Sequence, residues 1–152
     1  MKESSLFVVC KDKFGREYQI PKEQLQFRIA VCGILIKNNT VLLIPDQTTA
    51  KLELPGGAVK KGESLEDSLF REFHEETGLE IIIKRLLTYR ESFYFMKNPD
   101  TPFQTLRLFF SVTSLNSVDK IINGAFVNVY GLTQDNTSEL TYSVLKQLHS
   151  KK

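Results

Sequence analysis

An α/β fold, with a sheet lying between helical layers, is predicted by three features of the chain. Apolar runs rich in β-branched and aromatic residues recur at 27–36, 40–45, 80–85, 86–95 and 106–112. Their lengths and composition suit strands. One mid-chain segment, 64–77, carries Leu65, Leu69 and Phe73 at intervals of four between two capping signals. A second stretch, after Thr137 or Ser138, repeats that spacing with Leu140, Val144 and Leu148. Several strands with one helix in the middle and one at the end imply a sheet covered on both faces.

The elements follow in order. Residues 6–10 and 16–20 are strand-like and are joined by Lys11-Asp12-Lys13-Phe14-Gly15, which reads as a hairpin loop before Pro21 breaks the pattern. Residues 1–25 are thus expected to form an N-terminal β-hairpin appendage on a single domain spanning 1–152. It would pack at the domain edge; a homodimer contact or a wall of the substrate pocket is the alternative. Residues 27–36 and 40–45 flank Lys37-Asn38-Asn39 and read as a β-hairpin, with RIAVCGILI apolar enough to be covered on both faces. Asp46 to Lys51 is a polar loop, Leu52-Glu53-Leu54 a short strand, and Pro55-Gly56-Gly57 a tight turn.

The first helix starts at Ser64, with Asp67 three residues on in a capping-box pattern, and stops at Gly78, where a left-handed cap is wanted. Residues 80–85 and 86–95 read as two further strands, and 96–103 (MKNPDTPF) as a mobile loop near the substrate. Then come strand 106–112, a polar loop at 114–119, strand 126–130 and the final helix. Lys146, His149, Lys151 and Lys152 suit the negative C-terminal end of that helix.

Composition sets outer bounds. At 152 residues, 25% of them charged, the chain can bury a substantial core, and its net charge of +2 gives no strong sign of a nucleic-acid-coating surface. No apolar run approaches membrane-spanning length and the N-terminus lacks a signal-peptide core, so no membrane partner and a cytoplasmic location are expected. Cys10 and Cys32 stand alone in apolar stretches and are expected as buried free thiols.

The chemistry concentrates on the first helix. Glu72, Glu75 and Glu76 lie within an arc of about 100° beside its apolar stripe. Like charges one turn apart repel. Lys60, Lys61 and Arg71 look too few and too peripheral to neutralise all three, whereas a hard divalent ion such as Mg²⁺ takes carboxylate, water and phosphate oxygens. A solvated acidic face is the bland alternative. His74 points away from the acidic face and is set aside as a ligand.

The residues around this cluster decide between the two. Gly57, Glu63, Arg71, Glu72, Glu75, Glu76 and Gly78 fill every fixed position of the pattern G-x5-E-x7-R-E-U-x-E-E-x-G-U, with Phe73 and Leu79 at the two U positions. The chain therefore resembles the Nudix hydrolase family. The matching stretch covers 23 of 152 residues. What the resemblance implies is a Nudix-type α/β/α sandwich with a mixed β-sheet and a loop–helix–loop catalytic motif. It further implies hydrolysis of a pyrophosphate bond in a nucleoside diphosphate linked to X. By the same carry-over, Gly56 (through its carbonyl), Glu72, Glu75 and Glu76 hold Mg²⁺ or Mn²⁺. Glu72 is also the best candidate for a base or water-orienting group, and Glu63 and Arg71 hold the carboxylate helix in place. Arg71 lies about 100° around the helix from Glu72, clear of the metal's position.

Members of the family often supply one more glutamate after this pattern, the box that spans 57–79 here. This chain has no Glu between Ser92 and Ser138, which leaves Glu91, Asp100, Asp119 and Asp135 as stand-ins. Glu91, Phe93 and Tyr94 are expected to line the substrate pocket, with a packed strand as the alternative. The proline that marks many ADP-ribose members is missing, as is the NADH-cleaving signature S-Q-P-W-P-F-P-x-S. Both absences lean toward a MutT-like enzyme, a nucleoside-triphosphate or general nucleotide pyrophosphatase. An ADP-ribose or nucleotide-sugar pyrophosphatase, or a Nudix-fold ligand-binding module without turnover, are the alternatives.

Overall fold

The computed structural model describes residues 5–151. Ten strands and two α-helices run in chain order: β1 (Phe7–Lys11), β2 (Glu17–Pro21), β3 (Gln26–Ile34), β4 (Ile36–Lys37), β5 (Thr40–Pro45), β6 (Leu52–Glu53), β7 (Gly56–Ala58), α1 (Leu65–Thr77), β8 (Ile81–Met96), β9 (Thr101–Ser114), β10 (Ala125–Asn128) and α2 (Glu139–Ser150). A six-stranded mixed sheet has the order β2-β1-β8-β9-β3-β7, and a smaller sheet the order β10-β5-β4, with β6 paired to β5. Within the large sheet β1–β8 and β3–β9 are parallel and the other pairs antiparallel.

Alternation along the central strands splits the core into two layers. Val31 and Leu35, with Leu42 and Val112, face Leu69 and Phe73 of α1. Cys32 and Ile34, with Val41, Leu43 and Phe109, face Val144 and Leu145 of α2. Because successive strand residues point to opposite faces, one apolar run serves both helices. This is the sandwich that the resemblance implies. Removing a side chain as large and as fully buried as Phe73 costs about 3–5 kcal/mol.

Both helices end where the sequence indicates. Ser64 Oγ accepts the Asp67 N–H at 3.0 Å, and Gly78 closes α1 at φ 77°. The reciprocal bond from the Ser64 N–H to the Asp67 carboxylate is not formed among the described residues, so Ser64 supplies half of the capping box. Ser138 caps α2 through the Thr141 N–H. Cys10 and Cys32 are both free and buried. No described helix is long and apolar enough to cross a membrane.

Several expectations need correction. The hairpin read between 27–36 and 40–45 is confined to Ile36–Lys37 with Val41 and Thr40. At Leu35 the chain leaves the large sheet, so β3 pairs with β9 and β7 while β5 belongs to the smaller sheet. The strands at 80–85 and 86–95 are one strand, β8, with register shifts at 83–85 and 86–88 that bend it without ending it. The loop placed at 96–103 shrinks to the four-residue connection 97–100, because Thr101, Pro102 and Phe103 pair with β8. Gly56 and Gly57 belong to the edge strand β7 rather than to a plain turn, opposite Cys32 and Val31. The N-terminal hairpin extends the large sheet, joining β8 at Lys11–Tyr94.

Candidate active site

The box folds around Arg71. Its Nε and Nη2 donate to the two Glu63 oxygens at 2.7 and 3.0 Å, and its Nη1 donates to Glu72 Oε1 at 2.8 Å. A longer contact of 3.5 Å reaches Glu75 Oε2. Glu63 also accepts the Lys60 N–H at 3.0 Å, which ties the loop to the helix. The Arg71 fork and that N–H together hold the Glu63 carboxyl down at about 2. Arg71, expected to brace the helix but also to be too peripheral to neutralise its carboxylates, bonds Glu63 and Glu72 directly. A bidentate guanidinium spans more than one helix position, so the side chain reaches across the angle that separates the two backbones. Glu75 remains 57% exposed in spite of its contact.

Glu76 lives differently. It accepts the Gly56 N–H on Oε2 at 2.7 Å and has no cationic partner within ion-pair distance among the described residues. In the antiparallel ladder Gly33 N–H donates to Pro55 O and Val59 N–H to Ile29 O. By the alternation of such ladders, the N–H and C=O of Gly56 point off the free edge of β7, toward α1. A side chain there is excluded: a Cβ on Gly56 would lie 2.0 Å from Val31 O, and one on Gly57 would lie 2.5 Å from Glu72 Cδ. The glycines let the edge strand slide against the carboxylates.

Burial, with the charges of Glu72 and Glu53 behind it, pushes the Glu76 carboxyl up to about 7 against an ordinary value of 4.5, although the Gly56 N–H and Arg107 pull the other way. Burial likewise raises Glu53, helped by the charge of Asp46 and opposed by Arg107. Asp46, Glu53, Glu75 and Glu76 line one cleft of about 380 Å³, closed on another side by Ile122 and Asn123.

Not every expected residue reaches this cleft. Glu91 is bonded by Gln104 on the sheet face opposite the one that carries Arg107 and Tyr94, and Phe93 packs against the Cys10–Ile20–Phe95 cluster. Tyr94 alone of the three faces Arg28, with the guanidinium 5.7 Å from its ring centroid. Asp100 lies opposite Lys97 in the β8–β9 turn, Asp119 is bonded to Ser117, and neither they nor Asp135 line the cleft. The extra carboxylates come instead from before the box, as Asp46 and Glu53. Leu52-Glu53-Leu54 held a signal, an acid between two core leucines, but the same alternation fits a solvated strand face.

A divalent cation fits this donor set. The Glu53 charge bears on Glu76, neither has an ion-pair partner among the described residues, and a cleft lined by Asp46, Glu53, Glu75 and Glu76 opens beside them. Among the described residues no three acidic, His or Cys side chains converge on one point. A hard divalent ion suits such a site, since it takes carboxylate oxygens and completes its shell with water and phosphate.

Comparison with known proteins agrees with this geometry. Residues 26–127, well over half the chain, match the NUDIX domain family. An ADP-ribose pyrophosphatase of Methanocaldococcus jannaschii is 44% identical over 62 residues, 39% of this chain and 37% of that protein. An 8-oxo-dGTP diphosphatase of Buchnera aphidicola is 35% identical over 74 residues, 46% of this chain and 57% of that one. The alignments thus span between about a third and three-fifths of these relatives. A solved structure of a NUDIX hydrolase from Nitrosomonas europaea superposes with a TM-score of 0.66 at 22% identity, over 84% of this chain and 91% of that one. The arginine-braced glutamate helix, the glycine edge strand it leans on and the matching stretch from 26 to 127 are one inheritance: the chain belongs to the Nudix family.

Proposed function

We propose that this chain is a divalent-metal-dependent pyrophosphohydrolase acting on a nucleoside diphosphate linked to a group X, with nucleoside triphosphates among its substrates. The observation that carries this reading is the half-buried pair Glu53 and Glu76, neither of which has an ion-pair partner among the described residues, beside a cleft next to a complete box. Glu72, Glu75, Glu76 and the Gly56 carbonyl would hold the ion, Mg²⁺ by preference and Mn²⁺ as its substitute. When bound, that cation neutralises the leaving phosphate and lowers the pKa of bound water.

The chain's own residues do the rest. Arg71 and Glu63 fix the pitch of α1 against the loop, so that Glu72 is presented in one orientation to accept a proton from, or orient, the attacking water. Gly56 fixes Glu76 through its N–H. Water attacks phosphorus, and a nucleotide and the phosphorylated partner leave.

The names of the similar proteins, an ADP-ribose pyrophosphatase and an 8-oxo-dGTP diphosphatase, support a nucleotide-type substrate and bracket the choice of X. A panel containing nucleoside triphosphates, ADP-ribose and nucleotide sugars, assayed with Mg²⁺ and with chelator, tests the reading. Release of a nucleotide from at least one compound, abolished by chelator, is the expected outcome. Tight binding without release from any member would instead support a ligand-binding module.

A further inference from the structure

The large sheet carries a second charged feature, away from the box. On the face that holds Cys32, Arg28 of β3 stands level with Thr105 of β9, and Ala30 with Arg107. Arg28 Nε donates to Thr105 Oγ1 at 2.8 Å, and its guanidinium lies 4.0 Å from the Phe103 ring centroid. Arg107 Nη1 donates to Cys32 Sγ at 3.4 Å, while its Nε is sealed from solvent with no hydrogen-bond partner among the described residues. Neither guanidinium has a carboxylate within 4.0 Å among those residues. Burial, followed by the charge of Arg107, pulls Arg28 below its usual range. Two adjacent, half-buried cations and an orphaned N–H destabilise the fold unless something anionic joins them.

Position decides what that is. Glu53 and Glu76 act on Arg107 from the box side. Toward Arg28 the flanking groups are aromatic, namely Tyr94 and Phe103. The strand rise puts Arg28 roughly 13 Å along β3 from Cys32, the residue opposite Gly56. A molecule whose diphosphate sits at the box therefore reaches the arginines with a group at least one ribose away. A neutral base edge would accept their hydrogen bonds but leave the Arg28 charge without a carboxylate to answer it. A phosphomonoester does both, offering a dianion and several acceptor oxygens to two planar forks.

We propose that Arg28 and Arg107 bind a phosphomonoester carried on the substrate outside the scissile diphosphate, and that the chain prefers substrates bearing it. This rests on the pyrophosphohydrolase reading for the position of the diphosphate.

Matched pairs test it: ADP-ribose against its 2′-phosphate, and NAD against NADP. The phosphorylated member should show a kcat/KM higher by about tenfold or more, in line with charge-assisted hydrogen bonds. Arg28→Ala, and Arg28→Gln should the first variant not fold, should bring that ratio toward one, with Arg28→Lys keeping part of it. Equal kcat/KM within both pairs, or equal losses on both members in the variants, overturns the proposal. Calorimetry with adenosine 2′,5′-bisphosphate against AMP reads the same preference without turnover. Arg28-dependent binding of the bisphosphate, with no hydrolysis of any pair, would sink the hydrolase reading and leave this subsite standing.

Discussion

Carboxylates on the two sides of β7 have opposite circumstances. Glu63 and Glu72 share Arg71, and Glu63 is held at about 2. Glu53 and Glu76 have no ion-pair partner among the described residues and feel Arg107 only at longer range, and Glu76 is pushed up to about 7. Burial and charge sort them together: burial is the largest cause that raises Glu53 and Glu76, whereas the hydrogen bonds of Arg71 and the Lys60 N–H dominate at Glu63. Glu63 is satisfied within the protein and braces the helix; Glu76 has no ion-pair partner among the described residues, the unmet charge that the proposed cation would answer.

The largest expected effect comes from removing that charge. Glu76→Gln keeps an acceptor for the Gly56 N–H but ends the repulsion with Glu53. Turnover should fall by at least about 10²-fold, on the scale of losing a preorganised electrostatic group, while the metal-free protein melts no lower than the parent. Steady-state rates and a thermal melt read both halves, and an unchanged kcat would remove Glu76 from the metal site. Arg71→Ala makes the converse test. It leaves Glu63 and Glu72 without their partner and should destabilise the fold by about 2–3 kcal/mol in a denaturant titration, with weaker Mg²⁺ dependence of the rate. Should stability survive intact, Arg71 would not be the brace.

The smallest effect, and the one that sharpens the contrast most, lies in pH. Glu63 has a folded value of about 2 against an ordinary 4.5. Its contribution to stability is therefore present above about 4.5 and lost as pH falls toward 2. Glu76 has the opposite sign. In metal-free protein its contribution is greatest below 4.5 and is lost as pH rises through about 7. Denaturation midpoints against pH should show Glu63→Gln flattening the acid limb, and Glu53→Gln shrinking the loss toward neutrality, because the Glu53 charge helps to raise Glu76. Identical profiles for the two variants would erase the distinction between the pairs.

Much of the box was legible in the chain. Ser64, Gly78 and the Leu65–Leu69–Phe73 spacing act within a few residues of one another, so their consequences follow without knowledge of the rest of the molecule. The partition of strands between two sheets was not legible. A run apolar on both faces reports coverage but not the partner, and β3 finds its parallel partner across 77 residues. Glu53 escaped for a related reason: alternation places an acid on a face without saying whether that face meets water or another acid.

The sequence by itself determined that an acidic helix exists, where it begins and ends, and which glutamates it carries, since helix caps and a 3.6-residue period are local properties. Only the tertiary structure decided which acids meet an arginine and which meet each other. That outcome depends on the approach of β6, β7 and β9 to α1, where charges far apart in the chain come near enough for their fields to act in a poorly solvated space.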